Sequence, residues 1–251
     1  MKKEKVGLVS KLTSFGGKRV FDLGCANGTV SYFLKRNGGR WVHADLDGEN
    51  LVTARELLGA NLFRVGEGNL PFKERQFDLV VALDVLEHLE DDGAMVREIR
   101  RILKPQGVVI ASTPIGGGFF LLNRLKARLG LTPEIYGHKR EGYSLKQLQD
   151  LLEESGFQVI HTSTYAKLLV EFFEIMLNVV YTRVNRVERS RLRSGAISPS
   201  SAGDLKKNSR LFTFYARFVY PLVYLVTRID RLLWFKTGYA TLVMAQRMEI
   251  Q

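Results

Sequence analysis

The chain reads as a doubly wound α/β domain built around a parallel sheet, and three observations predict it. Short β-type runs alternate with helical patterns over the first 165 residues, which implies parallel strands with helices on both faces. A glycine-bearing turn, Asp22-Leu23-Gly24-Cys25-Ala26-Asn27-Gly28, joins the first strand pattern to the helical pattern after it. The second strand pattern ends on an acid, Asp45, about 20 residues further on, where nucleotide-binding α/β units place a carboxylate.

Strands are expected near 18–23, 40–45, 60–65, 77–83, 107–113, 157–165 and 238–247, and helices near 28–37, 48–59, 90–103 and 145–155. The first strand, opened by Lys18-Arg19-Val20-Phe21, runs through the turn into Thr29-Val30-Ser31-Tyr32-Phe33-Leu34-Lys35. Glycines there let the backbone approach a ligand beside the positive end of a helix. The turn is tighter than the dinucleotide pattern G-x-G-x-x-G, and Asp22 at the strand end would repel an anion and attract an ammonium group. Ala26 carries a methyl group in this turn, so a negative φ is expected there. The second strand, Arg40-Trp41-Val42-His43-Ala44, delivers Asp45, which can accept from both hydroxyls of a ribose. Asp47 and Glu49 suit the start of the next helix. Ser144 with Gln147 forms a capping box for the helix at 145–155, and Gly156 suits its end.

Asp22 to Gly28 resembles motif I of the class I S-adenosylmethionine (SAM)-dependent methyltransferases, usually written D/E-x-G-x-G-x-G, with Ala26 at the usual middle glycine. Other segments resemble the same family in the same order. Val65-Gly66-Glu67-Gly68-Asn69-Leu70-Pro71-Phe72 is similar to its acid followed by LPF. The family acid stands four residues before that leucine and Glu67 three before, so Glu67 and Asn69 both remain candidates. Gln76 to Leu89 resembles "FDvVva…vLEHl", and Leu103-Lys104-Pro105-Gln106-Gly107 resembles "LkPGG" with Gln106 for a glycine. The resemblance implies a Rossmann-like seven-stranded sheet, mostly parallel with the last strand antiparallel, and SAM as cofactor. Carried over by position, the cofactor residues are Asp22, Gly24, Ala26, Gly28, Asp45, Leu46, Glu67, Asn69 and Asp84. No metal is expected.

In that family the seventh strand follows the sixth by a short hairpin, whereas here roughly 70 residues intervene, and so long a gap is usually functional. The expected organisation is a cofactor-binding core over 1–165, a helical insertion over 166–236, and the final core strand over 237–251. Lys167 to Tyr181 reads as a helix whose only polar stripe is Glu171, Glu174 and Asn178. Arg210 to Arg231 repeats the pattern, with Pro221 expected to kink or split it. Neither reaches the roughly 18 uninterrupted apolar residues of a membrane span. Arg183 to Arg210 between them is rich in arginine, serine and glycine. Residues 1–122 carry 17 Lys+Arg against 15 Asp+Glu, and residues 123–251 carry 20 against 11, so the excess of the +11 chain lies outside the motifs. Basic residues beside aromatic-rich amphipathic helices point to an anionic membrane surface as partner. The other readings are a lid over the site or the interface of a homodimer.

Composition narrows the function further. The chain has 251 residues, 45% of them hydrophobic, enough for a sizeable core. The single cysteine, Cys25, excludes a disulfide framework and reads as a loop filler. No metal-type Cys/His spacing and no cleavable signal are visible. A basic balance raises nucleic acid as a partner. However, Leu83-Asp84-Val85-Leu86 stands where base-amine methyltransferases carry Asn/Asp-Pro-Pro-aromatic, and it resembles the small-molecule branch, including quinone-biosynthesis methyltransferases. The catalytic candidate is His138, in the polar segment Tyr136 to Ser144, as the base for a hydroxyl acceptor. A histidine bonding the loop backbone is its structural alternative. Lys139, Arg140 and Tyr143 are the substrate candidates. His88 is expected to order the wall beside the cofactor, and His43 and His161 to be structural. Gly116-Gly117-Gly118 before Phe119-Phe120-Leu121-Leu122 looks like a hinge and an apolar flap. The expected function is methyl transfer from SAM to an O or C atom of an amphiphilic or membrane-derived small molecule, in the cytoplasm at the inner membrane face. The alternatives are a soluble metabolite or sugar intermediate as substrate, or a non-catalytic SAM-binding protein.

Overall fold

The computed structural model describes residues 2–116, 138–166 and 238–249, with isolated positions 128, 172, 175, 176, 179, 217, 221 and 225. The expected helices at 168–181 and 211–231, the basic stretch between them and the flap at 117–122 lie outside the described residues. The chain divides into two compact units, one comprising Lys2–Gly116, His138–Thr164 and Ala240–Gln251, the other Gly117–Gly137 and Tyr165–Tyr239 with Met1.

In the first unit the chain runs α1 (Lys2–Leu12), β1 (Arg19–Leu23), α2 (Thr29–Lys35), β2 (Arg40–Asp45), α3 (Gly48–Leu58), β3 (Leu62–Arg64) and β4 (Phe77–Leu83). A 3₁₀ turn (Leu86–His88), α4 (Asp92–Ile102), β5 (Leu103–Pro114), α5 (Leu145–Glu154), β6 (Phe157–Tyr165, whose last residue falls in the second unit) and β7 (Ala240–Arg247) complete it. The sheet has seven strands in the order β3-β2-β1-β4-β5-β7-β6. β1 is parallel to β2 and β4, β2 to β3, and β4 to β5, while β7 is antiparallel to β5. This is the expected Rossmann-like sheet with its last strand reversed.

The hydrophobic pattern explains the layers. β4 buries Phe77, Leu79, Val80, Val81 and Ala82, a near-continuous apolar run that fits a strand covered on both faces. α4 buries Met95, Val96, Ile99 and Ile102, one face at helical spacing. Its N-cap Asp91 accepts from the Ala94 amide at 2.7 Å. Asp47 caps α3 by accepting from Glu49, as expected. The Ser144–Gln147 capping box opens α5, which ends at Glu154 with Ser155 as its C-cap and Gly156 beyond at φ 84°.

Two strand boundaries differ from expectation, and one helix was not expected at all. β3 shrinks to three residues, because it is an edge strand pairing only with β2 over His43 to Asp45. β5 begins at Leu103, directly after α4, since Leu103 pairs with Phe77 ahead of an irregularity in register. α1 had no periodic signal: it buries only Lys5 and Val9, and its helicity comes from packing on α2. In the second unit Tyr165 and Tyr239 are buried, and the Tyr239 amide donates to the Ala166 carbonyl at 2.9 Å.

Candidate active site

Sheet order reverses beside β1: β2 and β3 lie to one side, and the chain then crosses to β4 on the other. Ligands of open α/β sheets bind outside the carboxyl ends of the strands at this point. The 24–28 turn leaves the carboxyl end of β1 there, and the Gly24 and Cys25 amides both donate to the Ala44 carbonyl, at 2.8 and 3.0 Å. Gly24 and Gly28 have φ of 78° and 77°, a left-handed region that side chains disfavour. Space is also short. A Cβ on Gly24 would meet Val85 Cβ at 2.8 Å, and one on Gly28 would meet Leu58 Cγ at 3.0 Å.

Ala26 contradicts the expectation of a negative φ: it sits at 48°. A non-glycine residue there costs about 1–2 kcal/mol and persists only where its surroundings over-determine it. The constraint is Asp45, whose Oδ2 accepts the Ala26 amide at 2.8 Å. Asp45 Oδ1 accepts from the Asp47 amide at 2.9 Å and Asn50 Nδ2 at 3.1 Å. A carboxylate has about four acceptor positions, so Asp45 secures the turn and retains capacity for a ligand hydroxyl. Burial raises its proton affinity, against these hydrogen bonds.

Asp22 lies in β1 behind the turn, 4% exposed, with His43 Nδ1 donating to its Oδ2 at 2.8 Å. Register dictates the contact, since Asp22 and His43 are opposite each other in parallel strands. His43 also stacks on Trp41, ring centroids 5.7 Å apart. Cys25 packs on Ala54 and Leu58, and burial with the charges of Asp22 and Asp45 keeps its thiol protonated.

The adenine-side candidates lie along the next connection. Leu46 is half-buried against the core, while Glu67 and Asn69 are exposed. Glu67 accepts the Glu90 amide at 3.0 Å, and Asn69 bridges to Gly66. Asp84, after β4, has φ 53°, accepts the Ser112 hydroxyl at 2.9 Å and pairs with the Lys5 ammonium.

Each substrate candidate has a partner within the chain. Lys139 pairs with Glu90. Arg140 reaches Asp92 at 2.6 Å and the Leu89 and Glu90 carbonyls at 3.1 and 3.2 Å. The Tyr143 hydroxyl bonds Asp92. Together they fasten 139–143 to the start of α4. The Lys139 amide also donates to the Glu87 carbonyl at 2.9 Å, which brings His138 against His88, ring centroids 4.6 Å apart and perpendicular.

Two residues of this region carry no sequence signal of their placement. Glu87 is fully buried with neither side-chain oxygen hydrogen-bonded. Burial first, and then the charge of Asp84, push its carboxyl well above the usual carboxylate range. Glu87, His88 and His138 place potential ligand atoms within 4.8 Å of one another, a carboxylate and two imidazoles that suit a first-row divalent ion. No sequence spacing discloses this, because His138 stands 50 residues from His88. Lys5 is the second; nothing in its pattern marks it.

Residues 21–111 match the family model of a methyltransferase domain. A Mycolicibacterium smegmatis protein named for SAM-dependent methyl transfer is 32% identical over 148 residues, 58% of this chain and 54% of that one. A ubiquinone biosynthesis O-methyltransferase of Neisseria meningitidis is 34% identical over 107 residues, 39% of this chain and 44% of that one. The chain thus spans about half the length of the curated relatives it matches. Among solved structures, the [4+2]-cyclase SpnF superposes with a TM-score of 0.62 at 17% identity, covering 97% of this chain and 80% of that one, a likeness that speaks for the fold.

Proposed function

We propose that this chain, whose residues 21–111 form a domain of the class I SAM-dependent methyltransferase family, transfers a methyl group from SAM to an oxygen or carbon of an amphiphilic small molecule at the inner face of a membrane. One observation carries the cofactor reading. The left-handed turn at the switch point of the sheet is held by Asp45, an acid with acceptor capacity to spare.

The 24–28 turn would lie against the cofactor with no side chain intervening at Gly24 or Gly28, and Asp45 would accept from the ribose. Leu46 and the segment around Glu67 and Asn69 would flank the base. SAM supplies a methyl group already activated on a sulfonium. What remains for the protein is to align the acceptor, exclude water and, for a hydroxyl acceptor, take its proton. His138 is the candidate for that proton, held beside His88 by the Lys139–Glu87 backbone bond.

The membrane part of the reading rests on the charge excess of residues 123–251 and the wide apolar faces expected at 168–181 and 211–231. Among the described residues, no helix is long and apolar enough to cross a membrane. The deciding experiment incubates the protein with isotopically labelled SAM and, separately, lipid extracts and polar metabolites, followed by mass spectrometry. Label in a lipid-extract component supports the reading. Label only in a polar metabolite replaces it with a soluble acceptor. SAM binding with no labelled product in either leaves a SAM-binding protein without transfer.

A further inference from the structure

Three arginines converge at the end of the sheet opposite the candidate active site. Arg75 lies in the turn before β4, and its amide donates to the Arg101 carbonyl at 3.0 Å, while the Gln76 amide donates to the Ile102 carbonyl at 2.7 Å. Those bonds bring Arg75 to the last turn of α4, which carries Arg100. Arg100 Nη2 donates to the Met248 carbonyl at 3.1 Å and its Nε to the Gly156 carbonyl at 3.3 Å, which orients its plane beside Arg247 at the end of β7. Arg247 Nη1 donates to the Leu103 carbonyl. Among the described residues none of these three arginines forms an ion pair, whereas neighbouring Arg101 is matched by Glu98 at 2.7 Å. Arg247 Nε is buried without an acceptor, and a buried donor is costly to leave unpaired. Burial first, and then the charges of Arg100 and Arg75, lower the proton affinity of Arg247 against the weaker opposing charges of Glu249 and Glu74.

We propose that Arg75, Arg100 and Arg247 form a binding site for a phosphate group, remote from the cofactor turn. A guanidinium presents paired N–H donors that match phosphate oxygens. Three of them, brought from three segments, suit a tetrahedral dianion better than a planar carboxylate of single charge. The anion offsets the mutual repulsion and supplies the acceptors that no side chain among the described residues supplies. Arg100 and Arg247 are half-buried and already held by backbone carbonyls, so binding costs them little rotamer freedom. Arg75 is exposed and closes the site from the solvent side. The cluster sits where β4 begins, next to the Phe77–Leu103 pairing, whereas the cofactor turn lies at the carboxyl ends of the parallel strands, so the site is independent of the SAM reading. A free phosphate and a phosphorylated lipid headgroup present the same group, and two arms of the test separate them.

The first arm is scanning fluorimetry of the full chain in inorganic phosphate against chloride at equal ionic strength, for wild type, Arg75→Gln, Arg75→Glu and Arg36→Gln, the last an exposed arginine elsewhere on the surface. The second is flotation of the same proteins with phosphatidylcholine vesicles, with and without phosphatidic acid. Phosphate at about tenfold its Kd should raise the wild-type Tm by about 3–6 °C over chloride. Arg75→Gln should lose most of that difference and Arg36→Gln should keep it. Arg75→Glu should melt higher than wild type in chloride, because it sets a carboxylate between two unpaired guanidiniums, and should ignore phosphate. The general stabilisation that phosphate gives as an excluded solute acts on all four proteins alike, so the contrast among them is the readout. Binding to phosphatidic acid that Arg75→Gln weakens, with no Tm response to inorganic phosphate, supports the site and assigns it to a lipid headgroup. Wild type and Arg75→Gln behaving alike toward both phosphate and phosphatidic acid overturns the inference.

Discussion

Asp45→Asn separates what Asp45 does for the fold from what it does for a ligand. The carboxylate accepts three donors, Ala26 N–H, Asp47 N–H and Asn50 Nδ2, at 2.8 to 3.1 Å. Asparagine with its carbonyl at the Oδ1 position keeps the Asp47 and Asn50 donors, so one bond worth about 1 kcal/mol, that from the Ala26 amide, is lost. Against this stands burial, the largest influence on the group, which holds its pKa above the ordinary carboxylate value. The ionised acid is therefore a net penalty to the folded state at neutral pH, and the neutral amide removes it. The two effects nearly cancel, leaving about 1 kcal/mol either way and a Tm shift of about 2–4 °C for a chain of this size. Nothing offsets the ligand side. A carboxylate receiving a ribose hydroxyl contributes about 1.5–3 kcal/mol, so SAM should weaken by roughly 10- to 150-fold. The pH sign follows from the raised folded pKa: wild type loses stability as pH rises through it, and the variant does not. The Tm of the variant relative to wild type should thus become more favourable from acid to neutral pH. Scanning fluorimetry across pH and calorimetric titration with SAM measure both quantities. Wild-type SAM affinity in the variant, or a Tm lower by about 10 °C or more at neutral pH, would refute the reasoning.

Glu87→Gln should stabilise the protein near neutral pH, because burial and the Asp84 charge raise the folded-state pKa of Glu87. Its penalty grows as pH rises from the ordinary glutamate value through the raised one, so the Tm gain over wild type should shrink toward acid pH; a gain that is constant with pH would contradict this. His138→Ala should lower turnover of a hydroxyl acceptor by about a hundredfold with SAM affinity unchanged. Calorimetry beside steady-state kinetics distinguishes this from a structural role, which would weaken SAM as well. For the membrane, flotation with anionic vesicles should show binding that weakens but persists at high salt, since screening acts on charges and not on apolar contact. Phe214→Glu with Phe218→Glu, and separately Arg189, Arg191 and Arg193 to Ser, should each reduce it. Protein that stays in solution at low salt would end the membrane reading.

Local chemistry made much of the fold legible. Alternating strand and helix patterns specified the parallel layers, and Asp47, Ser144 and Gln147 marked helix starts, because a cap is settled by residues a few positions apart. The glycine turn and Asp45 were visible as a pair because the strand–turn–helix unit fixes their separation. Three things waited on tertiary structure. Ala26 adopts a φ of 48° that its own chemistry disfavours, because a carboxylate 19 residues away holds its amide. Glu87, His88 and His138 converge only when the segment after β5 is fastened to α4 through Arg140 and Tyr143. Lys5, in a helix with no apolar stripe, reaches Asp84 because α1 packs on α2. Periodicity and caps are short-range and can be read from the chain, whereas a buried charge finds its partner through the packing of elements distant in sequence, which no local pattern encodes.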